Sequence, residues 1–291
     1  MFPGAGFYGI KEIFLGYAKL PKFLPFPVAV QHGWQQFAHS FEASARPPEI
    51  WVWSERLAAE NERFYPKNKI RIIGSCFCYL MASFRNELPT CEKQGSVCIP
   101  PHSAHFVKTE YPVEEFARVL DQLGDELKPI TVMLYYLDMD DHTVRAYEKY
   151  GFKVVSNGSL FDVDFLKRFI LHVYDKKHCI FSDLGSGVFY ASYLGLNLVH
   201  IDIQSRVFKL AVRYNTEDMV PEVGEFNEKF LASWNENTTN EELGKNHMLS
   251  AKELRRAILR NYATWSFLRR SVLQVGVRVL RWFGLFRPAV K

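Results

Sequence analysis

Five polar segments of the sequence follow apolar runs and contain side chains that bind anions or exchange protons. They are "QHGW" (31–34), "PPHS" (100–103), "LDMDD" (137–141), "SNGS" (156–159) and "SDLGSG" (182–187). Histidine changes its charge near neutral pH, and hydroxyl groups and backbone N–H groups at helix starts are common phosphate ligands. These segments together predict a site for a phosphate-bearing ligand, with a histidine available as a base.

The segment "SDLGSG" has the pattern of a strand end followed by a helix start. A strand ending at Ser182 and a helix beginning near Ser186 would place free backbone N–H groups at the carboxyl edge of a sheet, where they favour an anion. We therefore predict that Ser182, Asp183, Gly185 and Ser186 bind phosphate. The alternative is that Ser186 only caps the helix and the glycines only turn the chain. The spacing of this segment is not G-x-G-x-x-G, so it does not indicate a dinucleotide fingerprint.

Two histidines follow apolar runs in the same way. His102 can donate to a phosphate oxygen and Ser103 can add a hydroxyl group, or the two can form a capping or solvent-facing pair. His32 precedes a glycine, which permits close approach of a ligand, and it is the candidate general base. The alternative is that His32 is a hydrogen-bonded turn residue. We place Gly33 and Trp34 on the side of the second substrate.

The aspartates after "ITVMLYYLD" (130–138) have two interpretations. Asp138 and Asp140 have the D-x-D spacing of a pair that binds a divalent ion, but Asp140 and Asp141 also precede a predicted helix, whose N-terminal end favours acidic residues. We retain Asp138, at the predicted strand end, as a catalytic candidate. Gly158, after the next strand, is a further phosphate-site candidate. We predict no metal site.

These segments require a parallel sheet to bring them together. From residue 95 onward the sequence alternates short apolar runs with helix-like segments, and strands joined by helices of this length form a parallel sheet with right-handed crossovers. A shorter alternation precedes it. We therefore predict an α/β fold with two Rossmann-like domains, the first of them short, and a helical C-terminal extension, divided as 1–92, 93–221 and 222–291.

The composition is that of a globular protein with a substantial core. The 291 residues are 48% hydrophobic and 23% charged. The five cysteines are odd in number and irregularly spaced, so they predict free thiols in a reducing compartment rather than a disulfide framework. We predict neither a signal peptide nor a membrane-spanning segment.

The C-terminal tail differs from the rest of the chain in charge. Residues 252–291 contain ten basic residues and one acidic residue, a net +9, whereas the other residues carry −5. On a helical wheel of 265–286, a basic and polar stripe lies opposite apolar and aromatic residues, which is typical of a helix lying on anionic lipid. Packing on the protein itself is the alternative. Nucleic acid binding is not predicted. The candidate membrane residues are Arg270, Arg278, Arg281 and Trp282.

The order of these segments resembles that of the two-domain GT-B glycosyltransferases, especially the bacterial surface-polysaccharide branch with CDP-glycerol glycerophosphotransferases and capsule transferases. The similar segments of the first half are "VAVQHGW", "IWVWSE" and "IRIIGSCFCYL", and those of the second half are "IPPHS" and "FSDLGSGVFYASYLGLNLV". Bacterial sialyltransferases, which pair a His-Pro loop with a Ser-rich loop, are a more distant match. The resemblance covers roughly residues 27–203.

The resemblance implies a glycosyltransferase that uses a nucleotide-activated sugar, or a polyol phosphate, to build a capsular, O-antigen or related surface polysaccharide. It implies a lipid-linked or oligosaccharide acceptor in the cleft and no cofactor beyond the donor substrate, with no requirement for a divalent metal expected. We expect direct displacement with inversion, although the sequence leaves both inverting and retaining chemistry open. His32 would be the base. The residues around the donor phosphate would be His102, Ser103, Gly158, Ser182, Asp183, Gly185 and Ser186. With the basic tail, it implies a cytoplasmic enzyme on the inner membrane face.

Two alternatives accompany this interpretation. The short first domain is compatible with a non-catalytic GT-B-like protein that binds a nucleotide or glycan in a membrane-bound assembly. An epimerase of the same architecture would require catalytic acids facing the nucleotide and no lipid anchor.

Overall fold

The computed structural model describes residues 2, 4–38, 46–104, 107–203, 206–209, 220–264 and 267. The strands are β1 (Ala29–Val30), β2 (Ile50–Val52), β3 (Ile70–Ile72), β4 (Ser96–Ile99), β5 (Val107–Glu110), β6 (Ile130–Leu134), β7 (Lys153–Ser156), β8 (His178–Phe181), β9 (Asn197–His200) and β10 (Arg206–Lys209). The helices are α1 (Ile10–Tyr17), α2 (Glu55–Asn61), α3 (Cys76–Phe84), α4 (Val113–Asp121), α5 (Asp141–Glu148), α6 (Phe165–Val173), α7 (Ser186–Tyr193), α8 (Val220–Ala232), α9 (Thr238–Glu242) and α10 (Ala251–Tyr262).

Two parallel sheets organise the described residues, and this confirms the predicted α/β class with two Rossmann-like units and a helical C-terminal part. The first sheet has the order β1-β2-β3 and the second the order β7-β6-β4-β8-β9. Counted along the chain, the second order is 3-2-1-4-5, which is the Rossmann order. Its direction reverses between β4 and β8, where open α/β sheets bind their ligands.

The second sheet follows from its sequence. Residues of β6 and β8 are all buried, and such short apolar runs form central strands covered by helices on both faces. The helix α6 buries one apolar stripe, Leu166, Phe169, Ile170 and Val173, at helical spacing. Short buried strands and helices with one apolar stripe therefore alternate along the chain, as the sequence predicts.

Two local details differ from the sequence-based expectation. The strand predicted over 130–138 ends at Leu134, and a 3-10 turn occupies Tyr136–Asp138. Asp138 therefore lies in a turn and not at the strand end. In addition, β5 and β10 form a two-stranded antiparallel sheet that the sequence did not indicate. Both segments are short and mostly polar or charged, so neither has the alternation of a half-buried strand.

The two parallel sheets are joined by a shared core. The ring of Phe77 on α3 stacks on Tyr190 of α7, with centroids 4.1 Å apart, and Phe14 of α1 contacts the Tyr79 ring at 5.2 Å. The same buried cluster includes Ile258 of α10. The boundaries at residues 92 and 221 stay predictions.

All five cysteines are free; Cys91 is exposed and the others are buried. Burial raises the pKa of the Cys78 and Cys179 thiols to about 12, as expected for structural thiols. Within the ranges described above, no helix combines the length and the apolar content needed to cross a membrane.

Candidate functional site

The candidate site lies where the loops after β4 and β8 leave the second sheet. These strands are parallel neighbours, with Ile99 opposite Phe181 in the register. The segments "PPHS" and "SDLGSG" therefore begin side by side, about 5 Å apart, at the carboxyl edge of the sheet. The structure thus places two of the predicted segments at the point where the strand order reverses.

The helix α7 begins at this edge without a side-chain cap. Ser186 is its first residue and Gly185 occupies the N-cap position, with no side-chain hydrogen bond to the first turn. Ser186 as a capping residue is therefore wrong. The Val188 N–H donates to the Gly185 carbonyl at 3.0 Å, and the N–H groups of Ser186 and Gly187 are the ones that give this end of the helix its affinity for anions.

The two glycines of this loop have different surroundings. No atom of the described residues lies within 4 Å of a Cβ placed on Gly185, so there is open space above the loop. A Cβ on Gly187 would lie 2.9 Å from Ile99 Cδ1. Gly187 therefore allows α7 to pack closely on β4, while Gly185 leaves room for a ligand.

The "QHGW" segment after β1 contacts the start of α7. The backbone N–H of Trp34 donates to Ser186 Oγ at 2.8 Å, and a Cβ on Gly33 would lie 3.1 Å from the same oxygen. A hydroxyl group that accepts one hydrogen bond can still donate its own proton. Ser186 can therefore donate to a phosphate oxygen while it joins the two sheets.

His32 lies beside this contact. Its half-buried ring meets the edge of the Phe7 ring, with centroids 5.2 Å apart. The side chain of the buried Gln31 fixes the segment through two hydrogen bonds. Its Nε2 donates to the Gly33 carbonyl at 2.8 Å, and its Oε1 accepts from the Trp53 backbone N–H at 2.8 Å. The loop that contains the candidate base is therefore held by a fixed side chain.

The "PPHS" loop is tied to the loop after β6. The backbone N–H of Ser103 donates to Asp138 Oδ2 at 2.9 Å, and Ser103 Oγ accepts from the Thr109 N–H at 3.1 Å. His102 is exposed, and its ring lies 5.3 Å from the Tyr135 ring. In the part of the chain that the structure describes, the next element after this pair is the strand β5, so helix capping is wrong for His102 and Ser103. The structure makes Asp138 a support of the His102 loop; a catalytic role for it stays a prediction.

Asp140 caps a helix, as one interpretation of the D-x-D spacing predicts. Its carboxylate accepts from the Thr143 N–H at 2.9 Å and from the Thr143 hydroxyl at 2.8 Å. The backbone hydrogen bond from Thr143 lowers the pKa of Asp140 below its usual value. Among the described residues, no group of three or more His, Cys, Asp or Glu side chains is placed to hold a metal ion.

Ser182 and Asp183 start the loop after β8. Ser182 Oγ is buried and has no hydrogen-bond partner in the described part of the chain, while the Ser182 carbonyl accepts from His200 Nε2 at 3.0 Å. A buried hydroxyl group without a partner is costly unless a ligand or water satisfies it. Asp183 is exposed.

Gly158 lies apart from the other candidates. It follows β7, which is three strands away from β8, or about 14 Å along the sheet edge. Its φ of +89° requires glycine, and a Cβ there would lie 2.8 Å from the guanidinium of Arg168, which pairs with Asp162. The local fold explains this glycine; contact with a donor stays a prediction.

A buried polar network that was not predicted from the sequence lies behind Trp34. The Trp34 indole N–H donates to Glu242 Oε2 at 2.6 Å, and Arg56 forms two hydrogen bonds with the Glu242 carboxylate, at 2.8 and 2.7 Å. Glu242 is only 7% exposed. No local pattern could have revealed this network, because Glu242 is more than 180 residues from both Trp34 and Arg56 in sequence.

The glycine-rich start of the chain has a spacing that the sequence-based predictions did not use. Residues 4–9, "GAGFYG", have G-x-G-x-x-G spacing and precede α1. Cβ atoms on Gly4 and Gly9 would lie 1.7 Å from the Val30 carbonyl oxygen and 2.1 Å from that of Val163. These glycines therefore permit the backbone to pack between β1 and the loop after β7, and Phe7 at its centre covers His32.

Arg270, Arg278, Arg281 and Trp282, the predicted membrane residues, lie outside the described residues.

Comparison with known proteins found no matching family model and no matching curated protein. Among solved structures, the chain is similar to an S. aureus MnaA-UDP complex (8% identity, TM-score 0.38, 82% of this chain and 61% of that chain). It is also similar to UDP-GlcNAc 2-epimerase from Methanocaldococcus jannaschii (12% identity, TM-score 0.35, 74% of this chain and 62% of that chain). A third similar structure is WaaG, a glycosyltransferase involved in lipopolysaccharide biosynthesis (13% identity, TM-score 0.29, 74% of this chain and 58% of that chain). The chain spans about three fifths of the length of each. At these TM-scores, the fold assignment depends on the strand order described above.

Proposed function

We propose that this protein is a glycosyltransferase that takes a sugar from a nucleotide-activated donor and adds it to a lipid-linked or oligosaccharide acceptor of a surface polysaccharide. One observation carries the proposal. The loop containing His32 is hydrogen-bonded, through the Trp34 N–H and Ser186 Oγ at 2.8 Å, to the uncapped start of α7. A candidate base and a candidate phosphate site thus lie side by side where the Rossmann-type sheet reverses direction.

The donor phosphate would occupy the open space above Gly185. The N–H groups of Ser186 and Gly187 and the Ser186 hydroxyl would donate to its oxygens, and the buried Ser182 hydroxyl, which has no partner among the described residues, would gain one. His102 and Ser103 would approach from the neighbouring strand end. These groups would stabilise the negative charge that the leaving nucleotide develops as the glycosidic bond breaks.

His32 would act on the acceptor. Its neutral imidazole would accept the proton of an acceptor hydroxyl group while that oxygen attacks the anomeric carbon of the donor sugar. The bond between the anomeric carbon and the phosphate oxygen would break on the opposite face, so the configuration would invert. Gly33 and Trp34, next to His32, would line the acceptor side.

The membrane part of the proposal depends on the basic, aromatic tail. A helix with this composition would lie on anionic lipid and bring the cleft close to a lipid-linked acceptor. The enzyme would then work on the inner face of the cell membrane, without spanning it.

A donor screen tests the function. We expect one of the UDP-, GDP-, CMP- or CDP-activated compounds to raise the unfolding temperature and to release its nucleotide when an acceptor is present. His32→Gln should leave the donor Kd within about threefold and lower kcat by about 10²-fold or more, since it removes the base but not the phosphate site. His142→Gln, an exposed histidine on α5, is the matched control. Full turnover by the His32 variant would refute its role as the base.

The non-catalytic alternative has one observation in its favour. The strands of the first sheet contain only two or three residues each, which leaves little framework for an acceptor site. A scaffold of this kind would bind a nucleotide or glycan without releasing product. Donor binding without turnover, for every acceptor extract tested, would favour it over the transferase.

A further inference from the structure

A cavity lies at the other end of α7 from the candidate donor site. It has a volume of about 270 Å³ and is formed by the end of α3, the end of α7 and the segment around α9. Tyr193 closes α7 at the cavity and Ser186 opens it at the donor site, so the two are separated by about 10 Å along the helix. This cavity is therefore distinct from the proposed donor site.

The cavity has an excess of positive charge. Arg85 and Lys245 face it together with a single acidic residue, Glu236. In the described part of the chain none of these three side chains forms an ion pair, and Arg85 and Lys245 are exposed. Two unpaired cations at one small concave surface favour an anionic ligand.

Aromatic and amide groups line the same cavity. The half-buried Trp234 is held by stacking on Phe189, with ring centroids 5.0 Å apart and an interplanar angle of 29°. The ammonium group of Lys245 lies 5.3 Å from the centroid of the Tyr193 ring. The amide of Asn240 has no hydrogen-bond partner among the described residues and is available to a ligand. Fixed aromatic faces accept the apolar face of a sugar ring, and amides bind hydroxyl groups.

We infer that this cavity binds a small anionic saccharide, a single sugar ring that bears one carboxylate or phosphate group. The volume is below the range of about 300–1,000 Å³ that is usual for drug-sized ligands, so it fits one ring better than a nucleotide sugar. Arg85 and Lys245 bind the anionic group, Trp234 contacts the ring and Asn240 binds a hydroxyl group. This inference does not depend on the proposed transferase activity.

Titration calorimetry with the full chain tests this site, using glucose 6-phosphate, glucuronate, glucose and inorganic phosphate as probes. We expect saturable binding of at least one of the two charged sugars, and binding at least tenfold weaker for glucose and for phosphate alone. The two charged sugars distinguish a phosphate from a carboxylate as the anionic group. No saturable binding of either, or equal affinity for glucose or for inorganic phosphate, would overturn the inference.

Variants locate the binding. The double variant Arg85→Gln/Lys245→Gln should weaken the charged sugar at least tenfold, while Lys252→Gln, an exposed lysine on α10, should leave it unchanged. Ser186→Ala should also leave it unchanged, because that residue belongs to the donor site. Both cations are exposed, so the unfolding temperature should not change. Unaltered affinity in the double variant, or lost affinity in Ser186→Ala, would show that this cavity is not the site.

Discussion

Ser186 shows how far a single residue could be predicted. The glycine-flanked break between two apolar runs is a local signal, and it correctly predicted that a helix begins at Ser186. The partner of its hydroxyl group, the Trp34 N–H, is 152 residues away in sequence and left no local signal. Sequence patterns predict where an element starts, but they do not predict which distant backbone group lies against it.

Trp34 has two separate hydrogen bonds, and a substitution can remove one of them. Trp34→Phe removes the indole N–H that donates to the buried Glu242 carboxylate at 2.6 Å but retains the backbone N–H bonded to Ser186. Because a buried hydrogen bond to a charged group is lost, we expect the free energy of unfolding to fall by about 1.5–3 kcal/mol. The donor Kd should change by less than about threefold. Denaturant unfolding and calorimetry measure the two effects.

The control for this substitution is Trp234→Phe. Trp234 also stacks on Phe189, but its indole N–H has no hydrogen-bond partner among the described residues. The free energy of unfolding should therefore fall less in Trp234→Phe than in Trp34→Phe. An equal loss in the two variants would mean that the Trp34–Glu242 bond contributes no more than ring packing does.

At the scale of elements, Glu49 joins the start of β2 to α10. Its carboxylate accepts from the Trp51 indole at 2.8 Å, from Arg260 at 2.5 Å and from the Asn261 amide at 3.0 Å. Burial favours the neutral acid, but these three donors outweigh it, and the pKa of Glu49 is lower than its ordinary value. The ionised carboxylate therefore stabilises the fold.

This lowered pKa predicts a pH dependence of stability. The contribution of Glu49 should be fully present above its unfolded pKa of about 4.3 and should be lost as the pH falls through its lower folded value. Glu49→Gln should lower the free energy of unfolding by about 1–2 kcal/mol at pH 7, and the difference from the wild type should shrink below about pH 4. Denaturant unfolding between pH 3 and pH 7 measures it.

A surface carboxylate provides the comparison for Glu49. Glu225 pairs with the exposed Lys229 one turn later on α8, and because such a surface pair contributes little, Glu225→Gln should move the unfolding midpoint much less than Glu49→Gln at pH 7. If Glu49→Gln behaved in the same way, the contact between β2 and α10 would not depend on the charge.

The elements themselves were predicted more accurately than their ends. The regular alternation after residue 95 predicted all five strands of the second sheet, because buried parallel strands are short apolar runs between amphipathic helices. The end of β6 was wrong because "YYLD" continues the apolar run, although the chain turns after Leu134. Asp138 was therefore predicted at a strand end, whereas it lies in a turn of the segment that follows β6.

At the scale of the molecule, the contact between the two sheets determines whether there is a catalytic cleft. Phe77 of α3 stacks on Tyr190 in the middle of α7, and Trp34, in the loop after β1, is bonded to Ser186 at the start of α7. These contacts connect residues more than 100 positions apart, which is why the sequence could suggest a cleft only through the order of its segments. The structure places three of the five predicted segments, "QHGW", "PPHS" and "SDLGSG", around one end of α7 and one strand pair.

The tail is predicted to control membrane binding. Truncation after Phe267, whose ring contacts Tyr262 at 5.0 Å, removes residues 268–291 and retains that contact. The full chain should cosediment with vesicles containing phosphatidylglycerol, and the truncated chain should not, while its donor Kd stays unchanged. Changing Arg270, Arg278 and Arg281 to Gln should weaken vesicle binding by roughly 10²-fold, at about 1 kcal/mol for each charge.

The matched control for the tail is a triple Gln variant of Lys252, Arg255 and Arg256, three exposed basic residues on α10. It removes the same charge from a helix that is packed on the core. Equal loss of vesicle binding in the two triple variants would mean that overall charge, and not the tail, attracts the lipid.

The central claim is that the loops after β4 and β8 bind the donor phosphate. The direct measurement is the Kd of the best donor from the screen for the double variant His102→Ala/Ser186→Ala, with His142→Ala/Ser233→Ala as a control of the same composition on exposed residues. Because two hydrogen bonds to a charged group are lost, at about 1.5–3 kcal/mol each, we predict a Kd at least 10²-fold higher for the first variant and unchanged for the control. A donor Kd equal to that of the wild type in the first variant would contradict the account.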